Sequence, residues 1–177
     1  KFHKINLPVL HISGWYDDEQ IGTPLNFTGM TTRGATDFAR QNQKLLMGPW
    51  GHAVNDKQKL GEVDFGAGSI IDLRGYECRW FDHWLKGLDN GVMSDPPVHV
   101  FVMGRNRWHA EQDWPLPQTR WTKYFLHSGG HANSTSGDGV LSTSPLGVTE
   151  DAALDTYVYD PAKPTRSPFT GGHLEAG

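Results

Sequence analysis

The sequence predicts two kinds of fold in succession, a parallel α/β sheet covered by helices and then part of an antiparallel β-sandwich. Two short apolar runs, residues 8–13 and 44–48, each end in a glycine-containing turn, which is typical of buried parallel strands. After residue 95 the pattern changes to short alternating runs separated by clusters of Gly, Pro, Asn and Ser, which favours a sandwich. We therefore expect one domain over residues 1–95 and a second over residues 96–177.

The first half of the chain predicts strand, helix and strand in turn. Residues 8–13 form a strand that starts at Pro8 and stops before Gly14. Residues 19–30 are weakly helical, because Pro24 is tolerated only near the first turn of a helix. The strand at 44–48 is apolar throughout rather than alternating, so it suits a sheet that is covered on both faces.

An amphipathic helix follows a predicted loop over residues 53–71. Asp72 is suited to cap the start of this helix, and Gly87 is suited to end it. Its apolar residues recur at steps of three and four and form one stripe along the helix. They are Leu73, Tyr76, Trp80, Phe81, Trp84, Leu85 and Leu88.

The second half begins after a linker marked by Asn90-Gly91 and Pro96-Pro97. Three extended runs then occur, at residues 98–103, 121–127 and 156–159, and residues 128–140 between them read as a flexible loop. Two parallel strands are too few to close a doubly wound sheet, and three or four are too few to complete a sandwich. We therefore expect both domains to be parts of larger ones, with the remaining polypeptide of the same protein as partner.

Composition and charge exclude several classes of function. The chain has 177 residues, of which 37% are hydrophobic, and its apolar runs are too short for a membrane span. The net charge is −4 and the basic residues are scattered, so we expect no nucleic-acid partner. Cys78 is the only cysteine, which excludes an internal disulfide and a cysteine-based metal site, and which fits a reducing compartment such as the cytoplasm. Whether the protein forms a homo-oligomer stays open.

The two turns that follow the predicted parallel strands each carry a residue that can hold or move a proton. The first turn runs from Gly14 to Asp17, and the second runs from Gly48 to His52. The carboxyl ends of parallel strands meet at one edge of a sheet, which is where α/β-hydrolases present their acid and base. A neutral imidazole can take a proton from serine near pH 7, and a carboxylate fixes its tautomer. The pattern predicts acyl transfer, although no Gly-x-Ser-x-Gly nucleophile motif occurs in the chain.

Other residues compete for these roles. Asp17 alone could be a turn former or helix cap, and Asp18 and Glu19 are rival acids. His52 alone could be structural, whereas His83 lies within the amphipathic helix and is expected to pack or to cap. The remaining histidines of the second half are irregularly spaced and include no His-x-x-x-His pair, so we expect no metal site. They are His99, His109, His127 and His131.

Six short motifs occur in a fixed order along the chain. They are Gly14-Trp15-Tyr16-Asp17, Gly48-Pro49-Trp50-Gly51-His52, Phe81-Asp82-His83-Trp84-Leu85-Lys86-Gly87, Val100-Phe101-Val102-Met103-Gly104, Asp113-Trp114-Pro115 and Tyr157-Val158-Tyr159-Asp160-Pro161. The series resembles the cocaine-esterase and X-prolyl dipeptidyl-peptidase family of serine hydrolases. Enzymes of the glutaryl-cephalosporin acylase and α-amino-acid ester hydrolase types are similar.

The resemblance implies a catalytic role for each of two residues. Asp17 matches the acid of the family's catalytic triad, His52 matches its histidine, and the serine elbow and oxyanion donors lie upstream of both. Trp15 and Trp50 flank the two turns and either pack in the core or line an acyl pocket.

The resemblance also implies the fold and the reaction. We expect the second half of an α/β-hydrolase domain followed by the start of a jelly-roll-like sandwich. The complete protein would hydrolyse a small-molecule ester or amide without a metal or organic cofactor, and the isolated chain would be inactive. The alternative is a non-catalytic binding or interaction module on the same fold.

Overall fold

The structure, a computed structural model, describes residues 1–145 and 154–164 of the chain. Its first compact unit contains Lys1–Pro117, and its second begins at Gln118. None of the helices in the described ranges combines the length and the apolar character that a membrane crossing requires.

Strands and helices alternate in the first unit, as the sequence predicts for its opening part. Two single turns of 3-10 helix, Phe2–Lys4 and Ala67–Ser69, accompany them. The strands and α-helices, numbered in chain order, are β1 Val9–Gly14, α1 Gly22–Arg33, α2 Asp37–Gln41, β2 Gln43–Gly48, β3 Lys59–Leu60, β4 Val63–Asp64, α3 Leu73–Lys86, β5 Val98–Val102 and β6 Arg107–Glu111.

Four of these strands form one mixed sheet in the order β1-β2-β5-β6. β1 and β2 are parallel and in register along their whole length, with Gly14 opposite Gly48. β5 joins the other edge of β2 in parallel, and β6 runs antiparallel to β5. The predicted parallel pair over residues 8–13 and 44–48 is therefore confirmed.

β2 is the most deeply buried strand of the sheet, and all six of its residues are buried. Leu45 and Met47 pack in one cluster with Phe27 of α1. Leu46 points to the opposite face and packs in a second cluster with Leu73 of α3. Helices therefore cover β2 on both faces, which explains why its sequence is continuously apolar.

The first two helices differ from the prediction in position and number. α1 starts at Gly22 rather than at residue 19, with Pro24 in its first turn as expected. α2 has only 5 residues, too few for a periodic pattern in the sequence. The hydroxyl of Thr36 accepts a hydrogen bond from the backbone N–H of Ala39, which caps this short helix.

Both predicted caps of α3 are confirmed. The side chain of Asp72 accepts a hydrogen bond of 3.0 Å from the N–H of Gly75. Gly87 has the left-handed conformation, with φ at 68°, and its N–H bonds the carbonyl oxygens of Asp82 and His83. The helix therefore begins and ends at the residues that the sequence indicated.

The apolar stripe of α3 is only partly covered in this structure. Leu73 and Trp80 are buried, at 7% and 4% exposed. Phe81, Leu85 and Leu88 are 55%, 77% and 50% exposed. The stripe therefore extends beyond the surface that the first unit offers to it.

The strand at the start of the predicted sandwich belongs to the sheet of the first unit. Val98 and Val100 of β5 pack with Phe27 and Met47, so their burial depends on β2 and α1. On the other face, Phe101 packs with Leu60 and Phe65. The first compact unit therefore extends past residue 95, whereas the predicted domain boundary at that position stays a prediction.

Among its described residues, the second unit contains one antiparallel hairpin, formed by β7 Phe125–His127 and β8 Val140–Ser142. Of the predicted strand over 121–127, only the last three residues are strand, and the predicted run at 156–159 is neither strand nor helix. The loop between the two strands is held by Asp138 and Asp155, whose carboxylates accept hydrogen bonds from loop N–H groups.

Candidate active site

The turns that follow β1 and β2 are joined to each other by backbone hydrogen bonds. The N–H of Trp15 donates to the carbonyl oxygen of Gly48 at 2.9 Å, and that of Tyr16 donates to the carbonyl oxygen of Trp50 at 3.0 Å. The bonds extend the parallel pairing of the strands past their last residues. The two turns are consequently fixed relative to each other.

The glycine of each turn is required by close packing. A Cβ on Gly14 would lie 2.0 Å from the carbonyl oxygen of Trp50, so no larger residue fits there without moving the second turn. A Cβ on Gly48 would lie 2.3 Å from atoms of the Trp50 ring. That ring has no exposed surface, so it cannot move aside at low cost.

This arrangement brings Asp17 and His52 into contact, as the sequence predicts. The distance between Asp17 Oδ1 and His52 Nδ1 is 3.1 Å, which is a hydrogen bond in which Nδ1 donates. The side chain of Asp17 is 10% exposed, and that of His52 is 40% exposed. The carboxylate is therefore sheltered, whereas the imidazole is accessible from solvent.

Three donors hold the Asp17 carboxylate. Oδ1 accepts the bond from His52 and a bond of 3.0 Å from the N–H of Glu19, and Oδ2 accepts a bond of 3.1 Å from Ser13 Oγ. Burial raises the pKa of Asp17, but these hydrogen bonds outweigh it and leave the pKa below its ordinary value. Asp17 is therefore ionised at neutral pH.

The pKa of His52 is raised above its ordinary value of 6.5. The main cause is the hydrogen bond with Asp17, which favours the imidazolium, and partial desolvation opposes it. The negative charges of Asp17, Glu19 and Asp18 add to the increase. A raised pKa makes His52 a stronger base once it is neutral.

The rival acids lie close to the same histidine. Asp18 Oδ1 is 3.8 Å from His52 Nδ1, which is an ion-pair distance rather than a hydrogen bond. Glu19 interacts with Asp17 through its backbone N–H. Of the three acids, Asp17 therefore makes the shortest contact with the imidazole among the described contacts.

Asp17, Asp18 and His52 are also the one group in the described ranges with the composition and spacing of a metal site. One ligand atom from each lies within 4.8 Å of the others. His52 Nδ1, which lies 3.1 Å from Asp17 and 3.8 Å from Asp18, already bonds Asp17. An ion bound by Nδ1 would therefore displace the hydrogen bond between His52 and Asp17.

The two tryptophans of the turns lie in the hydrophobic core. Trp50 is fully buried and its indole N–H donates to the carbonyl oxygen of Ser69 at 2.8 Å. Trp15 is partly buried and donates to the carbonyl oxygen of Phe101 at 2.8 Å. These contacts match the packing alternative, and their role in binding an acyl group stays a prediction.

His83 and Ser13 are two further polar residues with defined hydrogen bonds in the first unit. His83 Nδ1 donates to the carbonyl oxygen of Leu88 at 3.1 Å, so it caps the end of α3, as expected. Ser13 was missed as a partner of the site, although it is 2% exposed and hydrogen-bonds Asp17. The available signal was a hydroxyl near the end of a mostly apolar strand, four residues before Asp17.

Removing the charge of Asp17 should lower the pKa of His52. We expect Asp17→Asn to produce the largest decrease, and Asp18→Asn and Glu19→Gln to produce smaller ones, because each removes a negative charge that stabilises the imidazolium. An imidazole acts as a base only when neutral, so hydrolysis that depends on His52 should rise with pH through its pKa, above the range of an ordinary histidine. Histidine NMR titration measures the values directly.

Asp37→Asn is the control for this titration. Asp37 pairs with Arg40 in α2, which precedes β2 and so lies at the opposite end of that strand from His52. This variant should leave the pKa of His52 unchanged. An Asp17→Asn variant with an unaltered His52 pKa would contradict the assignment of Asp17 as the acid.

Comparison with known proteins places the chain in a family. Residues 90–175 match the X-Pro dipeptidyl-peptidase C-terminal non-catalytic domain. The chain is 38% identical over 173 residues to a cocaine esterase of Rhodococcus sp. (strain MB1 Bresler), a match that covers 94% of this chain and 27% of the esterase. It is 34% identical over 79 residues to a predicted Xaa-Pro dipeptidyl-peptidase of Bacillus anthracis, covering 45% of this chain and 13% of that protein.

A solved structure shows the same similarity. The crystal structure of an aminopeptidase from the marine sediment archaeon Thaumarchaeota archaeon superimposes with a TM-score of 0.62 at 27% identity, over 92% of this chain and 25% of that one. The chain spans about a quarter or less of the length of these relatives. It belongs to the cocaine-esterase and X-prolyl dipeptidyl-peptidase family of hydrolases, in which it corresponds to the C-terminal part.

Proposed function

We propose that this chain is part of a serine hydrolase that transfers the acyl group of a small-molecule ester or amide to water. Asp17 is the acid of the proposed triad, His52 is the base, and the nucleophilic serine belongs to polypeptide outside these 177 residues. The observation that carries the proposal is the 3.1 Å hydrogen bond between Asp17 and His52 at the carboxyl ends of two parallel strands. Membership of a hydrolase family supports it.

In the proposed mechanism His52 moves the proton in both halves of the reaction. Its Nδ1 bonds Asp17, so the proton of the serine hydroxyl would pass to Nε2 as the serine oxygen attacks the substrate carbonyl. The imidazolium then protonates the alcohol or amine that leaves the tetrahedral intermediate. Water then attacks the acyl-serine and gives its proton to His52, and His52 returns a proton to the serine oxygen as the bond between that oxygen and the acyl group breaks. Throughout, the charge of Asp17 stabilises the imidazolium.

Ser13 does not fit the role of nucleophile, although it is the serine that bonds the pair. It is 2% exposed, so a substrate cannot reach it. Its hydroxyl donates to Asp17, the acid, rather than to the base. A nucleophile must instead give its proton to the imidazole. These contacts support a serine from outside the chain.

We propose that β1 and β2, with α1 and α3 on their two faces, belong to the second half of an α/β-hydrolase sheet. Residues 96–177 would then start a jelly-roll-like sandwich. The parallel register of β1 and β2 supports the first assignment. The match of residues 90–175 to a C-terminal non-catalytic domain supports a separate second part.

We also propose that the remaining polypeptide of the same protein covers the open part of α3. Phe81 and Leu85 are 55% and 77% exposed although they lie on the helix's apolar stripe. Burying a large apolar side chain contributes roughly 1.5–3 kcal/mol. Pro8 and Leu10 of the β1 side line one cavity together with Phe81, so the same covering segment would contact both elements.

A non-catalytic binding module is the second candidate, and one observation favours it. The family matched by residues 90–175 is described as non-catalytic, so this part of the chain would then bind or orient a ligand. The Asp17–His52 contact lies outside residues 90–175, in the part of the chain for which we propose catalysis. The two candidates therefore differ in whether a reactive serine faces His52.

A serine-directed fluorophosphonate probe distinguishes these functions. We expect the full-length protein to be labelled at one serine outside this chain and to hydrolyse p-nitrophenyl acetate, because Asp17 and His52 activate that serine. The 177-residue chain should be neither labelled nor active. The rates of full-length protein on p-nitrophenyl acetate and on glycyl-prolyl-p-nitroanilide then separate esterase from dipeptidyl-peptidase activity.

Two outcomes would contradict the proposal. Labelling of Ser13 or of another serine within this chain would show that the nucleophile had been assigned wrongly. A full-length protein that is folded, unlabelled and inactive would favour the binding module.

A further inference from the structure

Ser13 carries a buried hydroxyl group that lies beside the carboxylate of Asp17. It is the fifth residue of β1 and is 2% exposed, and its register partner in β2 is Met47. A hydroxyl in such a place costs free energy unless it is hydrogen-bonded. Its Oγ donates to Asp17 Oδ2 at 3.1 Å, which satisfies that requirement. A residue of β1 thus donates one hydrogen bond directly to the carboxylate of the proposed triad.

The two oxygens of that carboxylate have different partners. Oδ1 accepts from His52 Nδ1 and from the N–H of Glu19, and Oδ2 accepts from Ser13. The final torsion of an aspartate is soft, so backbone position alone does not fix which way the carboxylate plane faces. The hydrogen bond from Ser13 restrains Oδ2, the oxygen that does not contact His52.

The two donors on either side of Asp17 lie in different parts of the fold. Ser13 lies in β1, which is hydrogen-bonded to β2 over six register pairs. Glu19 lies in the exposed turn that precedes α1. Of the two donors, Ser13 therefore belongs to the sheet, whereas Glu19 belongs to the turn that carries Asp17 itself.

We propose that Ser13 is a positioning residue, whose hydroxyl holds the Asp17 carboxylate with Oδ1 turned toward His52. The inference rests on the serine-hydrolase function proposed above and adds a fourth residue to its machinery. Ser13 acts through Asp17 and does not touch the substrate, because it is buried beneath the turn.

Loss of the Ser13 hydroxyl can raise or lower the pKa of His52, depending on whether Asp17 stays in place. If Asp17 stayed in place, its charge would be less neutralised by donors, and the pKa of His52 would rise. If Asp17 rotates, the hydrogen bond to Nδ1 weakens and the pKa of His52 falls. Positioning predicts the second outcome, so the sign of the change distinguishes the two.

The test compares three variants in the full-length protein. Ser13→Ala should lower the pKa of His52 in an NMR titration and lower kcat roughly 10-fold with KM nearly unchanged, as for loss of one hydrogen bond to a charged group. Ser13→Thr keeps the hydroxyl and should restore both values. Ser13→Cys has similar size but a weak donor, so it should resemble Ser13→Ala if that variant fails to fold.

Ser69→Ala is the matched control. Ser69 is also fully buried, but its hydroxyl donates to the carbonyl oxygen of Gly66, outside the site. It should change neither the pKa of His52 nor kcat. An unchanged or increased His52 pKa in Ser13→Ala, or equal effects of the two alanine variants, would overturn the inference.

Failure of the proposed function gives a different result. In that case the wild-type protein itself would show no hydrolysis and no phosphonate labelling. The titration of His52 would still report whether Ser13 orients Asp17.

Discussion

Replacing His52 with alanine in the full-length protein should lower kcat for ester hydrolysis by on the order of 10⁴-fold. The imidazole is the group in contact with Asp17 that can take the serine proton, and alanine offers no replacement for either transfer. KM should change little, because the loss affects the transition state rather than the bound substrate. Steady-state kinetics on p-nitrophenyl acetate, with circular dichroism to verify the fold, measure the effect.

Two other variants test whether the effect is specific to His52. Asp17→Asn should lower kcat somewhat less than His52→Ala does. The imidazole remains in this variant, but the carboxylate no longer fixes its tautomer or stabilises its cation. His83→Ala is the matched histidine control, since that ring bonds the carbonyl oxygen of Leu88 at the end of α3. It should retain activity. Near-normal activity in His52→Ala together with its loss in His83→Ala would show that the base was assigned wrongly.

The contact between Asp17 and His52 could be predicted from the sequence because a simple rule governs it. Two continuous apolar runs indicate neighbouring parallel strands, and the residues just after such strands must meet at one edge of the sheet. Asp17 and His52 occupy that position, and the structure brings them to 3.1 Å. The caps of α3 at Asp72 and Gly87 were predictable for a similar reason, because both depend on local backbone geometry.

The partners of β5 could not be predicted from its own sequence. Val98, Val100 and Val102 alternate with other residues, a pattern that favours an antiparallel strand with one polar face. In the structure Phe101 is also buried, at 2% exposed, because distant aromatic residues cover the second face. Packing partners far along the chain therefore determined which sheet the strand joined, and a local pattern does not record them.

The role of Ser13 and the extra strand β6 were missed for related reasons. Arg107–Glu111 has only Trp108 and Ala110 between its polar residues, which is too short a pattern to indicate a strand, and it forms one by pairing with β5, where Trp108 packs against Phe101. The hydroxyl of Ser13 in a mostly apolar strand is a weak signal, because only the fold of the turn brings it beside Asp17. Contacts of one side chain with another are set by tertiary geometry, which the periodicity of a sequence does not encode.

Gly14→Ala should destabilise the part of the protein that contains β1 and β2 by about 3 kcal/mol, because overpacking at a buried site costs roughly 1–3 kcal/mol and a clash with backbone lies at the upper end of that range. The added methyl group would lie 2.0 Å from the carbonyl oxygen of Trp50, which is backbone and cannot rotate away. Relief requires the second turn to move, which would break the bond between the Tyr16 N–H and that oxygen. Calorimetry should show the corresponding unfolding transition roughly 6–12 °C lower.

Gly22→Ala separates this steric effect from the general effect of replacing a glycine. Gly22 is the first residue of α1, and a Cβ there meets nothing within 4 Å. Alanine favours helix and restricts the unfolded chain, so this variant should be neutral or slightly stabilising. The activity of Gly14→Ala should also fall, since the displaced turn carries His52 away from Asp17. A Gly14→Ala protein with the stability and activity of Gly22→Ala would show that the two turns are not fixed by their close approach, and the Asp17–His52 geometry would then need another support.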